Sequence, residues 1–322
     1  MDTLAHLLGL LVGVVLIVWG AETFARHLAV AATRLGVTVF ALGILLAGAE
    51  PEELVTSVTA SLRQSPAIAL GNVAGTNIAI CLVAIGVGAW VAPLPFGRSV
   101  RRYGLLGLPL GAFAAWCAWD GIVTRGEGLV LVGAYLAFVG LIWAVERRPP
   151  TLGETGELAE ALEDTLTEPE GARRPVGREL LLVLAGVGAM AIGAVAIVEG
   201  VRGITTAEAG ETTLALTIVG FATAFELVVL AFTSARHGVT EAVVAGVIGS
   251  FAYNVTMTLG AGALVRELRV VDATQLHGPW ILMVLALALV LALAWRSERL
   301  RRPAGALLLG LYPVVLVLLV RS

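Results

Sequence analysis

The sequence contains no lysine, and it has only two cysteines and four histidines among its 322 residues. Cys81 and Cys117 fall within apolar runs, where a free cysteine is normally a small buried residue, so we predict no disulfide framework. The histidines lie near the ends of predicted spans or in loops, and no His-Glu-x-x-His sequence is present. We therefore expect no imidazole metal site within the membrane. Neither the four aspartates nor any Ser-His pair indicates an intramembrane enzyme.

Apolar residues dominate the rest of the composition. Hydrophobic residues make up 58% of the chain and charged residues 14%, and the mean hydropathy is +0.92. Apolar runs repeatedly reach the roughly 20 residues that cross a bilayer as a helix, which predicts an all-α polytopic membrane protein. The first run lacks a preceding basic stretch, so we expect a retained helix rather than a signal peptide. The ten predicted spans are 4–24, 37–62, 66–91, 105–119, 128–145, 180–198, 213–232, 239–264, 280–295 and 304–320.

One long polar interval divides the chain. Residues 146–178 contain two adjacent prolines, eight acidic residues and five arginines, without an apolar periodicity long enough for a domain. The sequence therefore predicts a first five-helix repeat over 1–146, an acidic linker over 147–177, and a second five-helix repeat over 178–322. With five spans on each side of the linker, the halves have opposite orientations, the arrangement called an inverted repeat.

The arginines are distributed unequally between the two ends of the predicted spans. Fifteen fall on the side of the linker and six on the side of the two termini. Because cytoplasmic loops of membrane proteins carry the excess of basic residues, we predict a multi-pass protein of the cell membrane with a cytoplasmic linker and both termini outside. No basic cluster resembles a nucleic-acid footprint.

A group of carboxylates interrupts the second predicted span. The stretch Gly48-Ala49-Glu50-Pro51-Glu52-Glu53-Leu54 lies between apolar sequence that begins at Val37 and resumes at Ile78, and Gly71-Asn72-Val73-Ala74-Gly75-Thr76-Asn77 follows it. Ionisable residues at membrane depth are costly, so they indicate a functional site.

The second half repeats this pattern. Ala222-Thr223-Ala224-Phe225-Glu226-Leu227 is followed by Gly249-Ser250-Phe251-Ala252-Tyr253-Asn254. Glu53 and Thr76 are 23 residues apart, and Glu226 and Ser250 are 24 apart, so the duplication preserves the spacing to one residue. The duplication, rather than either stretch alone, predicts that both halves contribute to one site.

With these two stretches, the chain resembles the calcium/cation antiporter superfamily, which includes the sodium/calcium exchangers. The alpha repeats of that family carry a Gly-Thr-Ser-x-Pro-Glu-Leu pattern followed by Gly-Asn-x-x-Gly-Ser-Asn. The best-matching stretch here runs from Leu70 to Ile78. The resemblance implies ten transmembrane helices in two inverted five-helix repeats, with a cytoplasmic loop between them and broken helices at the ion site.

The resemblance also implies ligands for a transported cation. Glu53 and Glu226 match the two ion-binding glutamates of the family, and Thr76 and Ser250 match its hydroxyl ligands. Two further classes of ligand are implied: Asn254 matches a polar ligand, and Ala49 and Ala222 fall where the family uses a backbone carbonyl exposed by helix unwinding.

Four positions depart from the family pattern. Ile80 stands where the first half should have the counterpart of Asn254, Glu50 replaces a serine, Pro51 lies one place early, and Phe225 replaces the second-half proline. Glu50 and Glu53 would share a helix face. Glu50 either supplies the missing ligand and exchanges protons or, like Glu52, lines an aqueous vestibule.

The residues independently favour a cation as the substrate. Two carboxylates at mid-membrane repel each other, and a divalent cation or several monovalent cations would neutralise them. Oxygen-only ligands, among which Thr223 is a further candidate one turn before Glu226, favour hard ions such as calcium, magnesium, manganese or sodium.

We therefore expect a secondary active antiporter that exports calcium in exchange for sodium by alternating access. Proton coupling or another divalent substrate is the alternative, and a passive channel is less favoured because inverted repeats favour alternating access. Small inorganic cations and the bilayer are the expected partners, with no cofactor, and the sequence leaves the oligomeric state open.

Overall fold

The structure, a computed structural model, describes residues 2–35, 50–146, 176–205, 207–238, 240–295 and 298–321. These ranges form ten helices, and α3, α7 and α8 each contain a five-residue π-helical segment, at Ile80–Ala84, Ala215–Val219 and Asn254–Thr258. The helices are α1 (Asp2–Arg34), α2 (Pro51–Leu62), α3 (Pro66–Val91), α4 (Arg98–Cys117), α5 (Arg125–Glu146), α6 (Val176–Ile204), α7 (Glu208–Arg236), α8 (240–265), α9 (Thr274–Trp295) and α10 (Arg302–Arg321).

Eight of the helices in the described ranges are long and apolar enough to cross a membrane. The two others are α2, whose predicted span 37–62 begins outside the described residues, and α4, which carries several arginines near its start. The predicted all-helical polytopic fold is confirmed. The most apolar part of α3 is entirely buried and that of α8 almost so, whereas α1, α5 and α10 expose most of theirs. Consequently α3 and α8 form the centre of the bundle.

One pair of π-helical segments recurs at the same place in both halves. Ile80–Ala84 and Asn254–Thr258 begin 174 positions apart, and so do the α-helical segments that follow them, Ile85–Val91 and Leu259–Val265. A π-helical segment holds one extra residue per hydrogen-bonded turn and so changes the direction of the side chains that follow it. The duplication therefore extends from the sequence to this irregularity of the backbone.

Two short antiparallel sheets join the halves to each other. Strand β1 (Leu94–Pro95) pairs with β4 (Arg299–Leu300), and β2 (Ile122–Val123) pairs with β3 (Leu268–Arg269). Each sheet thus takes one strand from each half, and exchanging the halves converts one sheet into the other. This is the inverted repeat expected from the sequence.

The helix ends gather on two faces. We call the face that holds the β1–β4 sheet and the contact between His27 and Glu179 the linker face, since α5 ends and α6 begins there. The face that holds the β2–β3 sheet and the start of α1 is the termini face, where Arg63 at the end of α2 donates to Glu199 on α6.

Glycines permit a close crossing of α1 and α6, the first helices of the two halves. A Cβ added at Gly13 would lie 2.7 Å from the carbonyl oxygen of Gly193, and one added at Gly186 would lie 2.7 Å from that of Gly20. Any larger residue would therefore separate the helices, because small residues are what allows membrane helices to approach this closely.

The close crossing of α1 and α6 leads us to predict how a larger residue at the crossing changes the stability of the protein. We expect Gly186→Ala to lower the melting temperature of the purified protein, with a destabilisation of roughly 1–3 kcal/mol from overpacking. Gly188→Ala is the matched control, because nothing lies within 4 Å of a Cβ added there. Equal melting temperatures for the two variants would contradict the packing described for α1 and α6.

Candidate functional site

The carboxylate cluster lies where α2 begins. Glu50 has a non-helical backbone conformation, and Pro51 occupies the first helical position. An N–H at that position would have no partner within the helix, so proline is tolerated there. Glu50 is 3% exposed and Glu53 is 1% exposed. Both carboxylates therefore sit at the N-terminus of a helix, where free N–H groups and the helix dipole favour negative charge.

Glu53 is held by side chains of α3. Asn72 Nδ2 donates to Glu53 Oε2 at 2.5 Å, and Thr76 Oγ1 donates to Glu53 Oε1 at 3.1 Å. The hydroxyl of Thr223, on α7, lies 2.9 Å from that of Thr76. This first cluster therefore joins the repeated stretches of the two halves through hydroxyl and carboxylate oxygens.

Glu50 belongs to a second cluster, on α8. Asn254 Nδ2 donates to Glu50 Oε2 at 2.8 Å, and Thr258 Oγ1 donates to Asn254 Oδ1 at 3.2 Å. The Ser250 side chain lies near the Glu50 carboxyl group, but its hydroxyl oxygen has no hydrogen-bond partner in the described part of the chain. Within the described ranges, Glu50 and Glu53 are thus held by neutral amides and hydroxyls rather than by arginine or histidine.

Glu226 lies on α7, half-buried, and close enough to Glu50 for their charges to interact. Ala222 and Glu226 both fall within the regular helix Gly220–Arg236. The interruption of α7 is the preceding π-helical segment, whose last carbonyl, that of Val219, accepts a hydrogen bond from Thr223 Oγ1. The structure therefore shows no unwinding at Ala222, and its role as a carbonyl ligand stays a prediction.

The sequence-predicted residues are thus divided between neighbouring clusters. Glu53, Thr76 and Thr223 form one, while Glu50, Asn254 and Ser250 form the other, beside Glu226. Ala49 lies outside the described residues. Ile80 is fully buried and opens the π-helical segment of α3, as Asn254 opens that of α8.

Asn72 is the residue that sequence reasoning missed. It is 1% exposed and makes the shortest contact to Glu53. Its signal was present in the Gly71-to-Asn77 stretch, since Asn72 precedes Thr76 by four residues and therefore shares a helix face with it.

The described residues contain no group of three or more histidine, cysteine, aspartate or glutamate side chains that could hold a metal ion. The oxygens near Glu53 come mostly from hydroxyl and amide groups, which are hard ligands suited to calcium, magnesium or sodium rather than to softer metals.

An all-helical membrane protein with inverted halves and a buried, oxygen-lined centre has the architecture of a secondary cation transporter. The family model described as sodium/calcium exchanger protein matches residues 5–144 and 179–321. The chain therefore belongs to the sodium/calcium exchanger family.

Individual relatives of this chain have low sequence identity to it or match only a short part of it. An uncharacterized membrane protein of Methanocaldococcus jannaschii is 26% identical over 300 residues, which cover 93% of this chain and 90% of that protein. The inner membrane protein YrbG of Escherichia coli is 27% identical over 319 residues, which cover 96% and 95%. The sodium/calcium exchanger MaX1 of Methanosarcina acetivorans is 38% identical over only 87 residues, 26% of this chain and 25% of that protein.

Solved structures share the fold. A structure of the sodium-calcium exchanger NCX_Mj superimposes with a TM-score of 0.61 at 23% identity and covers 98% of both chains. The H+/Ca2+ exchanger CAX gives a TM-score of 0.70 at 15% identity over 97% of this chain and 82% of that one. At these identities the likeness concerns the arrangement of the helices.

The contact of Asn72 with Glu53 leads us to predict how replacement of Asn72 changes the stability of the protein. Asn72→Ala leaves a buried carboxylate oxygen without its donor, so we expect a loss of stability of about 1–3 kcal/mol, read as a lower melting temperature. Asn77→Ala on the same helix is the control, since Asn77 Nδ2 donates to the Val73 carbonyl and not to the carboxylates. A larger effect of Asn77→Ala would show that Asn72 does not hold Glu53 in place.

Proposed function

We propose that this protein is a secondary active antiporter that moves calcium in exchange for sodium. The observation that carries the proposal is the burial of Glu50 and Glu53 within one helical turn, held only by neutral donors among the described residues. Two such carboxylates far from water require positive charge, and a bound cation supplies it.

The two clusters suggest how the ion would be held. Glu53 with Thr76 and Thr223 presents carboxylate and hydroxyl oxygens from both halves, and Glu226 adds a carboxylate from α7. Asn72 and Asn254 each donate through Nδ2 to a carboxylate, so in this arrangement they orient the acidic ligands. Asn254 would act mainly by positioning Glu50 rather than by coordinating the cation itself.

Alternating access follows from the position of the site between the halves. A cation bound to α2 and α3 of one half and to α7 and α8 of the other is released when the halves change their relative arrangement. Neutralisation by the ion favours this change, because an empty site would leave repelling carboxylates buried during the transition. We further propose the cell membrane as the location, with the linker in the cytoplasm and both termini outside.

Proton coupling is the second candidate, and Glu50 is the observation that favours it. A carboxylate occupies this position where the family usually has serine, and it lies beside Glu53 and Glu226. A third carboxylate raises the negative charge that the counter-ion must balance. The fold is also shared with an H+/Ca2+ exchanger.

Flux measurements test the antiporter directly. In reconstituted vesicles we expect uptake of calcium, magnesium or manganese under an imposed sodium or proton gradient, with Glu53→Gln inactive. Removal of one charge from a buried ion pair costs roughly 3–5 kcal/mol, so cation binding should weaken at least about a hundredfold. Glu298→Gln is the control, because Glu298 is paired with Arg101 at the surface of the linker face. Absence of gradient-driven flux for every cation, with binding unchanged in Glu53→Gln, would overturn the proposal.

Replacement of Glu50 separates the two coupling modes. If Glu50 carries the exchanged proton, Glu50→Ser abolishes uptake driven by a pH gradient and leaves or increases uptake driven by sodium. If sodium is the counter-ion of the natural protein, the same variant keeps its sodium dependence, and the pH profile of transport does not change. The measurement is initial calcium uptake under each gradient separately, with wild-type vesicles alongside.

A further inference from the structure

A polar pocket lies on the termini face, away from the carboxylate clusters. Its volume is about 580 Å³, and it lies between the end of α2, the start of α3, the start of α5 and the end of α8. Its polar and charged lining includes Ser61, Gln64, Arg125, Arg266, Glu267 and Arg269.

Positive charge exceeds negative charge in this pocket. Three arginines line it, and the lining carboxylate, that of Glu267, is 4.0 Å from Arg269. Two other arginines of the termini face lie close to carboxylates: Arg63 pairs with Glu199 at 2.9 Å, and Arg202 lies 3.8 Å from Glu211. Within the lining itself, guanidinium groups outnumber carboxylates three to one.

Comparison of the two halves separates the lining arginines into two kinds. Arg125 makes a structural contact that recurs in the other half, whereas Arg266 and Arg269 have no arginine at the equivalent positions. Arg125 donates to the carbonyl of Val265 at the end of α8, and in the other half Arg302 donates to the carbonyl of Trp90 at the end of α3. Both contacts stabilise a helix C-terminus. By contrast, the residues 174 positions before Arg266 and Arg269 are Ala92 and Pro95, so the equivalent structure on the linker face forms without them.

Two features of the backbone favour the binding of an anion in this pocket. Pro66, the first residue of α3, contributes to the lining, so the positive end of this long buried helix faces the pocket. Gln64 has a positive φ of 60°, an uncommon conformation for a non-glycine residue, and it too lines the pocket. Such conformations are retained where the surroundings enforce them, often at binding sites.

Apolar residues next to the lining are exposed. Leu62 is 64% exposed, Leu264 37% and Val265 36%, and each lies within two residues of a lining residue in the sequence. Arginines at a membrane boundary beside exposed apolar side chains match an amphiphile with a charged head. Exposed apolar side chains this close in sequence to the lining favour an amphiphile over a purely aqueous anion.

We propose that this pocket binds a phosphate oxyanion through Arg266 and Arg269, supplied by the headgroup of an anionic phospholipid or as free phosphate. Guanidinium groups bind phosphate through paired, charge-assisted hydrogen bonds. The proposal is independent of the transported ion, since it involves neither carboxylate cluster.

The test uses the purified full-length protein. Melting temperature and lipid adducts in native mass spectrometry are measured with phosphatidylglycerol, with phosphatidylcholine, with inorganic phosphate, and with chloride at equal ionic strength. We expect phosphatidylglycerol or phosphate to stabilise the protein more than phosphatidylcholine or chloride does. The Arg266→Gln/Arg269→Gln double variant should bind the effective probe at least about tenfold more weakly, as expected for the loss of charged hydrogen bonds.

The matched control is Arg236→Gln/Arg301→Gln, which removes the same charge from exposed positions on the linker face. The single variant Arg269→Gln serves if the double variant does not fold, and a partial loss is then expected. A response to phosphatidylglycerol alone assigns the site to lipid, and an equal response to inorganic phosphate assigns it to a soluble anion. No selective response to either probe, or the same loss in the control, would overturn the proposal.

Discussion

The structure depends on the requirement that polar groups inside a bilayer find their partners within the protein. Water cannot hydrate the carboxylates of Glu50 and Glu53, so each must receive donors from neighbouring helices. Asn72 and Thr76 supply them to Glu53, and Asn254 supplies one to Glu50. These donors lie on α3 and α8, the two most buried spans, which explains why the central helices of an apolar bundle carry asparagine and threonine.

The sequence predicted the features that depend on periodicity and repetition. The apolar runs indicated the helices, and the shared spacing of Glu53 with Thr76 and of Glu226 with Ser250 indicated one site built from both halves. It did not predict the π-helical segments, because no side chain in Ile80–Ala84 marks the extra residue of the turn. Asn72 was missed because amides in membrane helices have several possible partners, and only the arrangement in space shows that its partner is Glu53. The family pattern implied unwinding at Ala222, whereas α7, with Phe225 in place of proline, is a regular helix there.

The neighbouring carboxylates of α2 have different partners, although they are only three residues apart. Glu53 is joined to α3 and, through Thr76, to Thr223 of α7, whereas Glu50 is joined to α8. A change in the relative position of α2 and α8 would therefore alter the surroundings of Glu50 while leaving the contacts of Glu53 with α3 in place. Glu50, at a position where the family pattern has serine, thus places an additional charge directly at a contact between the halves.

The short sheets have a consequence for the assembly of the chain. Because β1 pairs with β4 and β2 with β3, no strand of these two described sheets finds its partner within its own half. Either half alone would therefore leave both of its strands unpaired. Each sheet can form only when the two halves have come together, so strand pairing reports on the assembly of the whole bundle.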